Sequence, residues 1–289
     1  MEVQSHASNE TKSSQNLESP IRWAGSKKKL LPILAQYWRD SDRKYIEAFA
    51  GSARLFFCIQ PKKAVLNDAN EELISALRIL ADKPRKLHAA ISRIPSISEE
   101  YYRVRSTQTK HGTFAAAVRF FYLNRNCFNV IYRTSKSGAF NVPFGNKTGR
   151  LPSIDQWLNF AAALENVRLE SRDFEVAVRE HVARDDFVYL DPPYAVANRR
   201  VFRQYSATEF GYEDILRLRT LMKDINAIGA TFVVSYALSK ETAILAEGWH
   251  CIRRMTQRNI AGFSHQRRKA VEVIITNRME RIPSSRSDS

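Results

Sequence analysis

The stretch Asp185-Asp-Phe-Val-Tyr-Leu-Asp-Pro-Pro-Tyr194 decides the fold of this chain. Its apolar run, Phe187 to Leu190, is short and stops abruptly at a carboxylate followed by two prolines. That pattern predicts a buried strand delivering Asp191 at its tip. Each proline fixes its own φ and lacks an N–H, and the residue before a proline is held extended, so the turn is stiff and rich in carbonyl acceptors. Such a turn takes up protons and donates few. It suits a substrate group that offers two N–H bonds, such as the exocyclic amine of a nucleobase, with Tyr194 supplying a stacking face.

Working outward, Arg43-Lys-Tyr-Ile-Glu-Ala-Phe-Ala-Gly-Ser-Ala53 predicts a strand over 45–49. It ends at Gly51, where a missing side chain lets a ligand approach the backbone. Lys63-Ala-Val-Leu-Asn-Asp-Ala-Asn70 predicts a second strand with Asp68 at its carboxyl end, 17 residues after Gly51. An acidic residue at about that spacing is placed to accept ribose hydroxyls. A helix over 71–80 follows. Ahead of both strands, Pro20-Ile-Arg-Trp-Ala-Gly-Ser-Lys-Lys-Lys-Leu-Leu31 predicts a glycine-containing turn into a helix. Lys27 near that helix start would seat a carboxylate, while Trp23 taken alone is a half-buried core aromatic. Downstream, the pattern predicts a strand within 166–174, a helix to about His181, and a loop carrying Arg199, Arg200 and Arg203 after the proline turn. A helix over 212–228 closed by Gly229 follows, then a strand over 230–235 and a helix over 240–247. Segments 249–255 and 270–276 pair as a hairpin at the sheet edge. Alternating strands and helices make this an α/β chain with a mainly parallel sheet.

Between 83 and 164 the alternation stops. Helical patches over 83–94 and 113–124 lead into Asn124-Arg-Asn-Cys-Phe-Asn-Val-Ile-Tyr-Arg-Thr-Ser-Lys-Ser-Gly-Ala-Phe-Asn-Val-Pro-Phe-Gly145. Asn, Arg and aromatic residues interleave there, a mix that reads bases and phosphates, and Asn124, Arg125 and Asn129 are candidate contacts. The formal charge of +15 points to a polyanionic partner. It is concentrated: no acidic residue lies between Glu100 and Asp155, where Arg103, Arg105, Lys110, Arg119, Arg125, Arg133, Lys136, Lys147 and Arg150 fall. A second acid-free run, between Glu247 and Glu272, holds Arg253, Arg254, Arg258, Arg267, Arg268 and Lys269. Charge runs are ordinarily solvated faces, but two long runs without balancing carboxylates favour nucleic-acid contact.

A hydrophobic fraction of 44% beside 26% charged residues is that of a globular domain. No apolar stretch is long enough to span a bilayer. Cys58, Cys127 and Cys251 have neither metal-ligand nor redox spacing, which suits a reducing cytosol. Residues 1–18 are too polar to fold alone and carry no apolar signal core, so they are expected to be a disordered tail, and 279–289 a flexible one.

Taken together, Arg22-Trp-Ala-Gly-Ser-Lys27, Glu47-Ala-Phe-Ala-Gly-Ser-Ala53, Asn67-Asp68, Phe140-Asn-Val-Pro-Phe-Gly145 and Asp191-Pro-Pro-Tyr194 stand in the order that resembles the DNA adenine methylase family. The resemblance runs from about Pro20 to Asn277. It implies a Rossmann-like, S-adenosylmethionine-dependent methyltransferase sheet built from 19–82 and 165–278. A mainly helical target-recognition insertion over 83–164 would grip double-stranded DNA. It implies transfer of a methyl group from S-adenosylmethionine to N6 of a flipped adenine, with no metal, in a bacterial or phage-type cytoplasm near the nucleoid. Trp23, Lys27, Phe49, Gly51, Asp68 and Asp191 would line the cofactor pocket, Lys27 facing the methionine carboxylate. Asp191, Pro192 and Tyr194 would hold the target base, and Arg133, Asn141 and Pro143 would contact the recognition bases. Two positions depart from the family pattern: Ala53 and Ser26 stand where glycines are usual, and a methyl at 53 would crowd the cofactor if that residue takes positive φ. RNA or the N4 amine of cytosine is the alternative substrate, and a non-catalytic DNA-binding relic the alternative class. A restriction endonuclease partner is not readable from one chain.

Overall fold

The computed structural model describes residues 17–23, 27–130, 132–133, 139–145, 149–193, 210–259 and 267–279. Seven strands, β1 (Tyr45–Glu47), β2 (Ala64–Asn67), β3 (Val167–Glu170), β4 (Phe187–Leu190), β5 (Thr231–Ala237), β6 (His250–Asn259) and β7 (Arg267–Thr276), form one sheet in the order β3-β2-β1-β4-β5-β7-β6. The first five pair in parallel, and β7 runs antiparallel between β5 and β6. The order reverses between β1 and β4, which opens a crevice at their carboxyl ends where α/β sheets bind ligands.

The apolar run of β4 is buried at every position because both faces of the sheet are covered. Alternate residues serve two cores. Tyr45, Leu66, Phe187, Tyr189 and Val233 face one cluster, and Ile46, Val65, Val188, Leu190 and Val234 face the other. The first cluster packs against α1 (Leu31–Leu34), α2 (Arg54–Ile59), α3 (Glu71–Asp82) and four helices between α3 and β3. Those four are α4 (Pro84–Ser92), α5 (Ser98–Ser106), α6 (Phe114–Asn126) and α7 (Ile154–Ala163). The second cluster lies under α8 (Phe174–His181), α9 (Tyr212–Ile228) and α10 (Lys240–Ala246). α9 ends at Gly229 with φ +84, the left-handed cap that glycine supplies without strain.

Two helices were not foreseen. α5 has only Tyr101 and Val104 buried, too narrow an apolar stripe to stand out. α7 does carry a start signal, the reciprocal capping box of Ser153 and Gln156. The edge strands β6 and β7 extend past the predicted 249–255 and 270–276, because the polar composition of their added ends hides a strand. The helix predicted after the glycine-containing turn is short, four residues from Leu31, and the Lys27 carbonyl accepts from Leu30 and Leu31 N–H one turn earlier. Lys27 therefore stands close to the helix start, as the sequence predicts, although a helix that short has little dipole to offer.

Candidate active site at the carboxyl edge of the sheet

Four strand ends supply the site. β1 runs into a turn in which Gly51 and Ala53 both take φ +47. A Cβ added to Gly51 would lie 3.2 Å from the Trp23 indole, so the close approach demands glycine. Ala53 is wholly buried in the first core, so its methyl occupies core space and its cost is backbone strain of about 1–2 kcal/mol. At the end of β2, Asp68 Oδ2 accepts from Gly51 N–H at 2.8 Å and Oδ1 from Asn70 N–H at 2.9 Å, which clips the glycine turn to the start of α3. Each oxygen keeps a further lone pair for an incoming hydroxyl. Burial raises the Asp68 carboxyl above its ordinary pKa, and the two backbone donors pull it back.

At the end of β4, Asp191 Oδ1 accepts from Lys27 Nζ at 2.7 Å and from Ser235 Oγ at 2.9 Å. Ser235, on β5, spends its one proton on that carboxylate and so accepts from the Tyr189 hydroxyl, 2.9 Å away. Both are buried, so the relay fixes the carboxylate rather than conducting protons to solvent. Among the described residues no hydrogen bond reaches Asp191 Oδ2. Glu47, at the tip of β1, is buried and its pKa is held well above the carboxylate range, by burial first and then by the nearby charges of Asp191 and Asp68. Burial and the two nearby carboxylates thus disfavour a third negative charge in the crevice. Pro192 is buried and Pro193 exposed. Tyr194, Ser26 and the arginines of the 199–203 loop lie outside the described residues.

Trp23 is half-buried and stacks on Tyr132, ring centroids 5.3 Å apart and planes 20° from parallel. Phe49 packs on the other side of the sheet, against Phe174 at 5.1 Å and Phe210 at 5.9 Å. The loop after α6 is stapled to the segment around Gly145: Phe128 N–H bonds the Pro143 carbonyl at 2.9 Å, and Gly145 N–H the Asn126 carbonyl at 2.8 Å. Arg133 Nε donates to Asn141 Oδ1 at 2.8 Å, so these two candidate readers stand side by side. Asn129, with φ +51, Asn141 and Pro143 are exposed beside them.

Asn124 and Arg125 are a correction. Both are buried, at 1% and 8% exposure, and both serve the chain itself. Asn124 clips Arg22, accepting from its N–H at 3.0 Å and donating to its carbonyl at 2.6 Å. Arg125 donates to the carbonyls of Arg150 at 2.7 Å and Pro20 at 2.9 Å. Burial and neighbouring Arg22 lower its pKa to about 10. These residues position Trp23 and the loop and present nothing to a nucleic acid. Ser235 and Tyr189 are the converse, site residues that read in the sequence as plain strand. Phe128, whose ring is 38% exposed beside Asn129, was also passed over; an aromatic in the first turn after a helix was the available signal. Away from the crevice, Glu170, Glu180 and His181 bring possible ligand atoms within 4.8 Å of one another. Arg168 and Arg172 already ion-pair with those carboxylates, so the group is a salt-bridge network.

Residues 23–260 match the model of the D12 class N6 adenine-specific DNA methyltransferases. The chain is 32% identical over 278 residues to the type II methyltransferase M1.LlaDCHI of Lactococcus lactis subsp. cremoris, covering 91% of this chain and 96% of that one. It is 29% identical over 283 residues to the type II methyltransferase M.MjaIII of Methanocaldococcus jannaschii, covering 89% and 98%. To the DNA adenine methylase of Haemophilus influenzae it is 28% identical over 267 residues, covering 88% and 91%. Among the described residues no helix is long and apolar enough to cross a membrane.

Proposed function

The chain belongs to the D12 class of N6 adenine-specific DNA methyltransferases, and from that premise we propose that Asp191 and the Pro192 carbonyl grip the amine of an adenine turned out of duplex DNA. The observation that carries the assignment is the bonding of Asp191. One oxygen is anchored by Lys27 and Ser235, which leaves the other to accept an N–H. S-adenosylmethionine is the methyl donor in this reading, held by Trp23, Lys27, Phe49, Gly51 and Asp68. The residues suit it: Asp68 for ribose hydroxyls, an ammonium for the amino-acid end, a half-exposed indole, and a glycine turn too tight for a side chain. When bound, it supplies an electrophilic methyl group on a sulfonium.

The N6 lone pair is delocalised into the purine ring, so the protein must localise it. Accepting one N–H at Asp191 and the other at Pro192 draws the nitrogen toward tetrahedral geometry. It also sets two acceptors where positive charge develops, in a site arranged beforehand. Asp191 then takes up the proton that the methylated nitrogen loses. Turning the base out costs about a few kcal/mol, of which stacking on Tyr194 returns ~1–3 kcal/mol. The acid-free span between Glu100 and Asp155 supports duplex DNA as the substrate, with Arg133, Asn141, Pro143, Asn129 and the exposed ring of Phe128 as the reading surface.

The test is methylation of plasmid DNA by the purified protein with labelled donor, followed by mapping of the modified adenines. Label in one recurring sequence is expected, and transfer only to RNA or to single strands overturns the duplex reading. Arg133→Ala is expected to relax sequence choice at one position by ~1–3 kcal/mol, the worth of a bidentate guanine contact. Equal weakening on every sequence would make Arg133 a phosphate anchor instead. Ser235→Ala is expected to lower kcat about 10–100-fold, the worth of a hydrogen bond to a charged group. The KM values for DNA and donor should barely move, since Ser235 is a positioning residue; steady-state kinetics on both substrates separates the terms.

A further inference from the structure

β6 and β7 outrun the sheet they edge. β7 pairs with β5 as far as Glu272 opposite Ala237, with one further bond from Leu238 N–H to the Val271 carbonyl at 2.9 Å. β6 and β7 remain paired beyond that, from Thr256 with Ala270 to Asn259 with Arg267. Because β5 runs parallel to β4, with Leu190 opposite Val234, these extra pairs stand past the edge that carries Asp191. At ~3.3 Å per residue the ribbon rises roughly 13 Å above the edge, two strand spacings, about 10 Å, to the side of β4. In the strand order it lies on the side of β4 opposite β1, whose Gly51 turn meets Trp23.

The ribbon is built from one sign of charge. No acid occurs between Glu247 and Glu272, and Arg258, Arg267, Arg268 and Lys269 all fall on the projecting pairs. The register sets Arg258 directly opposite Arg268. A bare two-stranded ribbon has little stability to spare, and a polyanion lying along this one would meet a basic residue at three successive positions of β7. The family match ends at residue 260, so β7 lies outside it.

We propose that this ribbon is a second DNA-binding element, a cationic arm that holds the sugar–phosphate backbone across the site from the recognition loop. The proposal rests on the reading of the chain as a DNA methyltransferase. Contacts to phosphate add affinity and salt dependence without sequence choice. The competing account is that the cations merely guard an exposed edge against pairing with other chains.

Binding of the full chain to target and non-target duplexes, followed by fluorescence anisotropy between about 50 and 200 mM salt, decides it. In the variant Arg267→Ser/Arg268→Ser/Lys269→Ser, the slope of log affinity against log salt should shallow by about 1–2, at ~0.9 per lost phosphate contact and with successive strand positions on opposite faces. Both duplexes should weaken by the same factor, and kcat at saturating DNA should stay at the wild-type value. Arg258→Ser, a single change on the other strand of the ribbon, should shallow the slope by about 1. An unchanged slope in either variant overturns the proposal, as does aggregation with an unchanged slope or a loss confined to the target duplex. If the wild type methylates DNA and the slopes do not move, the arm alone is refuted. If the wild type does not methylate DNA, the underlying reading fails first.

Discussion

Asp191→Ala is expected to lower kcat for methyl transfer by at least about 10³-fold, the upper range for removing one preorganised group at the reacting centre. The variant loses the acceptor that orients the amine and the group that takes its proton. It also removes the carboxylate that ion-pairs with Lys27, whose side chain is 9% exposed. Removing one member of a buried pair costs stability because the other charge stays desolvated. Asp191→Ala should therefore melt below the wild type, and Asp191→Ala/Lys27→Met should recover much of the loss without recovering turnover. Single-turnover transfer to a target duplex, with thermal melts of both variants, separates chemistry from folding. Retained turnover in either would remove Asp191 from the mechanism.

The second large effect is on stability and tests the reassignment of Arg125. Its guanidinium holds two main-chain carbonyls that lie 105 and 25 residues away in sequence. At ~1.5–3 kcal/mol for each hydrogen bond to a charged group, Arg125→Ala should cost about 3 kcal/mol or more. In a chain of this size that lowers Tm by roughly 6–12 °C. DNA binding measured well below the melt should keep its wild-type sequence preference. An unchanged Tm with lost DNA binding would return Arg125 to the nucleic-acid surface that its sequence context suggested. Arg133→Ala, on a more accessible side chain, should leave Tm nearly unmoved, so the arginine at the end of α6 and the one in the loop after it separate cleanly.

That contrast shows where the sequence could be read and where it could not. Strand 187–190 and helix 212–228 have the predicted bounds because an apolar run ending at prolines, and an amphipathic period ending at glycine, are local signals. Gly51, Asp68 and Asp191 reach the same sheet edge because parallel strands deliver their carboxyl ends together, a consequence of topology that alternation already implies. Asn124 and Arg125 were misread because composition does not reveal which distant carbonyls lack donors; Pro20 and Arg150 meet Arg125 only once the chain is folded. Ser235 was invisible for the same reason. Within Thr231–Ala237 it is one more inward position, and only the pairing of β4 with β5 sets it level with Asp191. The position of Lys27 near a helix start was legible, but its ion pair with Asp191 was not, because only the fold brings the end of β4 to it.

The stack of Trp23 on Tyr132 joins two things that could have been separate. Tyr132 precedes Arg133 in the chain, its hydroxyl bonds Glu72 at the start of α3, and the indole it covers lies against Gly51. On the proposed assignment, this stack puts the reading loop in direct contact with a wall of the donor pocket. Linkage is reciprocal: whatever factor the right DNA sequence adds to donor affinity, the donor must add to affinity for that sequence. On the proposed assignment, any such coupling would let occupancy of the small-molecule pocket set how long the enzyme dwells on its site, and a spent donor left in place after transfer would bear on letting go or moving on.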